Sequence, residues 1–304
     1  MPGPAGSGAV MTELIASLSQ ISARYDTLLC DLWGCLHNGK APFPAAVAAL
    51  QAFRAKGGRV VLMTNAPRPN SFVIKQLQGM DVPDDAWDLV VSSGDAAQDA
   101  MFAGVVGQRV YHLGPDKDNG FFTEIPENWR GGEPIERVPL ADAEGIVCTG
   151  PFNELTETPE DYRTTFLYAK TKGLKLLCAN PDIVVDLGDR RIYCAGALAQ
   201  LYDQMGGTSL YFGKPHPPIY DLARRRLGDL LGHEIENGTM LAVGDGFDTD
   251  IRGGVAEGID ALFVTGGILT DEFGADADNP DKGLLDAWLA RMDVSPTFAI
   301  GKLR

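Results

Sequence analysis

The stretch Leu28-Leu29-Cys30-Asp31-Leu32-Trp33-Gly34-Cys35-Leu36-His37-Asn38-Gly39 brings a carboxylate to the end of an apolar run and then breaks into a glycine-bearing loop. Residues 44–56 follow with helical spacing and stop at Gly57-Gly58. Arg59-Val60-Val61-Leu62-Met63 is then a second β-branched run, closed by Thr64-Asn65. A strand, a helix and a strand in this order make a crossover unit, so the two strands pair in parallel. In open sheets of this kind ligands gather at the carboxyl ends of the strands, which is where Asp31 and Thr64-Asn65 fall.

The same alternation recurs downstream. Residues 70–78 read as a helix, Leu89-Val90-Val91-Ser92-Ser93 as a strand, and the chain through Met101 as a helix. Near the other end, Leu210-Tyr211-Phe212 runs into Gly213-Lys214-Pro215 and a helix over 217–231. Thr239-Met240-Leu241-Ala242-Val243 runs into Gly244-Asp245-Gly246-Phe247-Asp248-Thr249-Asp250, and a strand over 260–264 and a helix over 283–292 complete the pattern. The expected fold is α/β, a doubly wound parallel-sheet (Rossmann-like) core with a smaller α/β domain inserted in it. Residues 21–103 and 190–304 are assigned to the core and 104–189 to the insertion, whose polar passage 114–139 is expected to be a surface loop. Residues 1–20 are expected to form a lead and a short amphipathic helix, from Leu14, Ile15, Leu18 and Ile21. The Pro/Gly/Ala-rich start has no signal-peptide pattern, and Met11 is a second candidate start.

Composition excludes several classes of function. A formal charge of −15 argues against sequence-independent nucleic-acid binding, which needs a basic face. No run is long and apolar enough for a membrane span. Cys30, Cys35, Cys148, Cys178 and Cys194 are odd in number and scattered, as expected of buried reduced thiols in a cytoplasmic protein. Cys30 and Cys35 read as packing residues around the strand tip.

Four strands therefore end in polar tips: Asp31, Thr64-Asn65, Lys214, and Asp245 with Asp250. Singly each is an ordinary solvated strand end. Together they supply a carboxylate nucleophile, a hydroxyl and an amide for phosphate oxygens, a cation to neutralise them, and paired acids for Mg²⁺, the parts of a metal-assisted phosphoryl transfer. Mg²⁺ asks only for a few carboxylate or carbonyl oxygens and keeps several waters.

In order and spacing, Asp31-x-x-Gly34, Val61-x-x-Thr64-Asn65, Gly213-Lys214-Pro215 and Gly244-Asp245-x-x-x-Thr249-Asp250 resemble the four motifs of the haloacid dehalogenase-like hydrolases. The long interval between Thr64 and Lys214, with Asn180-Pro181-Asp182 in it, is similar to the larger cap of the class IIA, NagD-like subfamily. The resemblance implies that Asp31 attacks phosphorus and becomes an aspartyl-phosphate. It also implies that Asp31, the Trp33 carbonyl and Asp245 hold Mg²⁺ with Asp250 nearby. Thr64 and Asn65 would bind phosphoryl oxygens, Lys214 would neutralise the transferred group, and Asn180 and Asp182 would be cap contacts to a small phosphorylated metabolite. Caps of this type can also supply an interface for a homo-oligomer.

One residue departs from the pattern. Phosphatases of this family usually carry a second Asp two residues after the nucleophile, as proton donor to the leaving group; here that residue is Trp33. An indole N–H is neither acid nor base near neutral pH. Three readings stay open: His37, or less readily His216, supplies the proton; the substrates are aryl or acyl phosphates that need no acid; or the acyl-phosphate turns over slowly, leaving a weakly catalytic phosphate-binding or regulatory protein. Carbon–halogen hydrolysis is disfavoured, because Asp245 and Asp250 would have no task in it.

Overall fold

The computed structural model describes residues 12–187 and 190–304. By contact density the chain divides into two compact units, one of Met1–Leu62, Asp81–Asp88 and Ile235–Arg304, the other of Met63–Met80 and Leu89–Glu234.

The first unit is built on a parallel sheet. Its strands lie in the order Glu13–Leu14, Phe298–Ile300, Asp260–Val264, Met240–Gly244, Thr27–Asp31, with Arg59–Thr64 beyond. Thr27–Asp31 and Met240–Gly244 are buried along their whole length, which is why both read as unbroken apolar runs rather than as alternating ones. Helix Pro44–Ala55 follows Thr27–Asp31; Pro44 starts it, and Ala46, Val47, Leu50 and Phe53 form its buried face. Phe247, Phe263, Phe273, Leu285 and Leu289 form a core on this sheet, with Trp288 packed against them.

The N-terminal helix expected from Leu14, Ile15, Leu18 and Ile21 does not form. Glu13–Leu14 is instead a short edge strand paired with Phe298 and Ala299, followed by two 3-10 turns, Leu18–Gln20 and Ser22–Arg24. A short isolated helix is marginal in water, whereas the strand Phe298–Ile300 offers a row of backbone partners; Ile15 N donates to Ala299 O at 2.9 Å. Residues 1–11 of the expected lead lie outside the described residues.

The second unit contains a parallel sheet in the order Thr208–Tyr211, Lys175–Cys178, Gly145–Cys148, Arg109–Leu113, Glu136–Arg137. Its central strands, Gly145–Cys148 and Lys175–Cys178, are covered on both faces. Ile146, Cys148, Leu176 and Cys178 enter one core, and Val147, Leu177 and Ala179 enter another. Helix Ala195–Gln204 packs in the first of these cores through Leu198, Leu201 and Tyr202. Thr208–Tyr211 pairs in parallel with Lys175–Cys178 and so belongs to the sheet of this unit. The passage 114–139 is not wholly surface: Phe121 is buried in the second core and Asp118 is buried against Arg68. Among the described residues no helix is long and apolar enough to cross a membrane.

Candidate active site

In the first unit the parallel register sets Val243 opposite Cys30, so Asp31 and Asp245 leave adjacent strand ends. The chain then folds back tightly, with Leu36 N and His37 N both donating to Leu32 O and Gly34 N donating to His37 O. Gly34 has φ +73°, and a Cβ there would lie 2.0 Å from Asp245 Oδ2. Gly267, in the turn after Asp260–Val264, makes the same approach from another element, and Ile268 N donates to Asp245 Oδ2 at 2.8 Å. Both turns therefore pass so close to the Asp245 carboxylate that neither can carry a side chain. Asp250 lies within a π-type turn, Phe247–Ile251, and its Oδ2 accepts from Gly246 N at 3.1 Å, folding the carboxylate against Gly244.

Asp31, Cys35 and Asp245 are all buried, with ligand atoms that lie within 4.8 Å of one another. Burial, followed by the negative charges of Asp245 and Asp31, pushes the Cys35 thiol well above its ordinary pKa. This carboxylate pair fits a hard divalent cation: two buried oxygen donors converge in one spot, and the glycines at 34 and 267 keep it clear of side chains. Among the described residues the Trp33 carbonyl accepts none of the loop's backbone hydrogen bonds.

The Trp33 side chain is 44% exposed and packs edge-on against the His37 ring at 5.4 Å. His37 lies inside its loop, 1% exposed, and its Nδ1 accepts from Gly39 N at 2.9 Å. Burial lowers its pKa, against an upward pull from Asp31. It is thus a neutral imidazole with its proton on Nε2, holding the loop together. His216 stacks on Tyr211 at 4.8 Å, and burial lowers its pKa too.

The second unit gathers Asn65, Asp182 and Lys214. Asn65 Nδ2 donates to Asp182 Oδ1 at 2.8 Å and to Lys214 O at 3.0 Å, while Lys214 N donates to Asn65 Oδ1 at 2.8 Å. The Asn65 amide therefore clamps both peptide groups of Lys214, and both its N–H donors have protein partners. Asp182 likewise faces Asn65, and Asn180 Oδ1 accepts from Asp182 N at 2.9 Å to close the turn. Thr64 Oγ1 accepts from Ala66 N at 3.3 Å. Lys214 is buried, its Nζ donates to Met63 O at 3.3 Å, and its bond to Pro215 is cis. Sequence reasoning missed Ser93, whose Oγ donates to Ala179 O at 2.6 Å and faces Ala66 O at 3.1 Å, tying the Thr64-Asn65 turn to the Ala179-Asn180 turn. Its only signal was a polar residue directly after an apolar strand. Cys35 was recognised as packing, but not as a neighbour of Asp31 and Asp245.

Comparison with known proteins decides the family. A solved hydrolase of the haloacid dehalogenase-like family from Brucella suis 1330 is 37% identical, with 96% of this chain and all of that one covered and a TM-score of 0.81. The chain belongs to the haloacid dehalogenase-like hydrolases. Two family models agree, "haloacid dehalogenase-like hydrolase" over residues 28–125 and a HAD-hydrolase-like model over 211–299. The first takes in Asp31, Thr64 and Asn65, and the second Lys214, Asp245 and Asp250, so all four motifs of this hydrolase lie in matched segments. An acid sugar phosphatase of Staphylococcus aureus (strain USA300) is 26% identical over 251 residues, 82% of this chain and 90% of that protein. The 4-nitrophenylphosphatase of Thermotoga maritima shares the fold, at 21% identity, 92% and 95% coverage and a TM-score of 0.67.

Proposed function

We propose that this hydrolase is a Mg²⁺-dependent phosphatase of small phosphorylated metabolites and that Asp31 is its nucleophile. The observation that carries the reading is the buried pairing of Asp31 with Asp245 in a spot cleared by Gly34 and Gly267. The names of the relatives, a sugar phosphatase and a nitrophenylphosphatase, point to the same chemistry. Asp31 attacks phosphorus and forms an acyl-phosphate as the leaving oxygen departs; water then cleaves that bond. Asp31, Asp245 and the Trp33 carbonyl would hold Mg²⁺, with Asp250 close to them, and the ion would neutralise phosphoryl oxygens against the carboxylate. Thr64 and Lys214 are assigned to the phosphoryl group on the strength of the motif resemblance. Asn65 is assigned to positioning, since its amide holds the Lys214 backbone. The reduced state of all five cysteines supports a cytoplasmic location.

Trp33 favours a second reading, a phosphate-binding protein that turns over slowly. It stands where a proton donor is expected, and His37 is buried, neutral and engaged with Gly39. Loss of general acid–base help costs about 10²–10⁴ in rate. Stopped-flow cleavage of 4-nitrophenyl phosphate with Mg²⁺ separates the two. Sustained turnover, lost in Asp31→Asn, supports the phosphatase. A burst near one equivalent per site followed by very slow release supports the second reading, and no release from the native protein contradicts Asp31 as nucleophile.

A further inference from the structure

The five cysteines are all buried and free. Cys30 Sγ donates to Asp31 O at 3.2 Å and Cys178 Sγ to Asn180 O at 3.3 Å. Cys35, 1% exposed, has no hydrogen-bond partner among the described residues, and its sulfur lies within 4.8 Å of the ligand oxygens of Asp31 and Asp245. A thiol so placed adds nothing to a Mg²⁺ site, because Mg²⁺ prefers oxygen ligands and keeps its waters. It does supply a third protein donor to a thiophilic ion, for which thiolate and carboxylate together are an ordinary ligand set.

We propose that Asp31, Cys35 and Asp245 form a binding site for a thiophilic divalent cation of the Zn²⁺ class, with Cys35 as a thiolate ligand. Metal–sulfur and metal–oxygen bonds of about 2.3 and 2.1 Å bring tetrahedral ligand atoms to about 3.5 Å apart. The ligand atoms of the three residues, all within 4.8 Å of one another, would draw together to that spacing around the ion. One sulfur–metal bond forms, the thiol proton passes to solvent, and nothing is oxidised or reduced. The site shares Asp31 and Asp245 with the Mg²⁺ reading, so a thiophilic ion excludes Mg²⁺ and occupies the proposed nucleophile. The proposal rests on that reading of the two carboxylates as cation ligands and adds sulfur to it.

Co²⁺ is the probe, because a thiolate ligand gives it an intense near-ultraviolet charge-transfer band that oxygen ligands do not. The native full-length protein titrated with CoCl₂ is expected to develop the band with one equivalent and to lose it under excess Mg²⁺. Cys35→Ser is expected to lose the band and to bind Co²⁺ at least about tenfold more weakly, by calorimetry. In case Cys35→Ser folds poorly, ¹¹³Cd NMR of the native protein gives a variant-free readout, a resonance in the mixed sulfur–oxygen range. Co²⁺ bound without the band, a band that survives in folded Cys35→Ser, a band indifferent to Mg²⁺, or ¹¹³Cd in the all-oxygen range would each overturn the proposal and leave the Mg²⁺ reading standing. Failure of every divalent ion to bind would overturn both.

Discussion

Gly267 tests how tightly the carboxylate of Asp245 is held. A methyl group there would lie 2.0 Å from Asp245 Oδ2, 2.6 Å from its Cγ and 2.4 Å from its Cβ. The last distance decides the outcome. If only the oxygen clashed, the carboxylate could swing away, but Cβ is fixed by the backbone, so either the Gly267 turn or the end of Met240–Gly244 must move. Gly267 is not in the left-handed region, so Gly267→Ala adds crowding without intrinsic backbone strain. Overpacking at a tight site costs about 1–3 kcal/mol in stability. Displacing a metal ligand or its support costs about 10–100-fold in affinity, or about 1.4–2.8 kcal/mol. Calorimetric titration with MgCl₂ and a thermal melt would measure both. The expected variant folds, melts lower and binds Mg²⁺ at least about tenfold more weakly. Gly267→Ala with native Mg²⁺ affinity and native melting temperature would refute the reasoning, because the methyl would then have found room that the described geometry denies it.

Further tests address other elements. Asn65→Ala removes three hydrogen bonds, two of them to the buried Lys214 backbone; a loss of about 2–4 kcal/mol is expected in urea unfolding, with kcat falling more than KM rises, and an unchanged urea midpoint would contradict the clamp. Trp33→Asp places a carboxyl two residues after the nucleophile and is expected to raise hydrolysis of alkyl phosphates by about 10²–10⁴; no gain in a phosphate-release assay would mean that the indole is not what limits the reaction. Burial lowers the pKa of His112 to about 4, with Arg137 adding to the effect and Asp116 opposing it. The folded state therefore prefers the neutral ring. That contribution is complete above the unfolded-state pKa of about 6.5 and is lost as pH falls from there toward 4. His112→Gln, which keeps a partner for Thr149 Oγ1, is expected to melt with a shallower fall over that window, and a slope equal to the native one would contradict the assignment.

The strands that carry the site were legible because burial on both faces leaves a distinct mark. Thr27–Asp31, Arg59–Thr64 and Met240–Gly244 read as apolar runs ending in polar residues, and they are strands that end there. What was not legible depends on partners remote in sequence. Glu13–Leu14 is a strand because Phe298–Ile300 lies beside it, which the helical spacing of Leu14, Ile15, Leu18 and Ile21 cannot reveal. Thr208–Tyr211 looks like any core strand until its pairing with Lys175–Cys178 is seen. The amide of Asn65 appears free in a motif, and only the distances show both its donors engaged. Cys35 looked like packing since its relation to Asp245 joins residues far apart in the chain.

The most direct test of the central claim is acid-quenched peptide mapping by mass spectrometry after millisecond mixing with 4-nitrophenyl phosphate and Mg²⁺. The account predicts a phosphoryl adduct on the peptide containing Asp31, localised to that side chain and absent from Asp31→Asn. Turnover with no adduct on Asp31 at any mixing time, and with Asp31→Asn equally active, would contradict it.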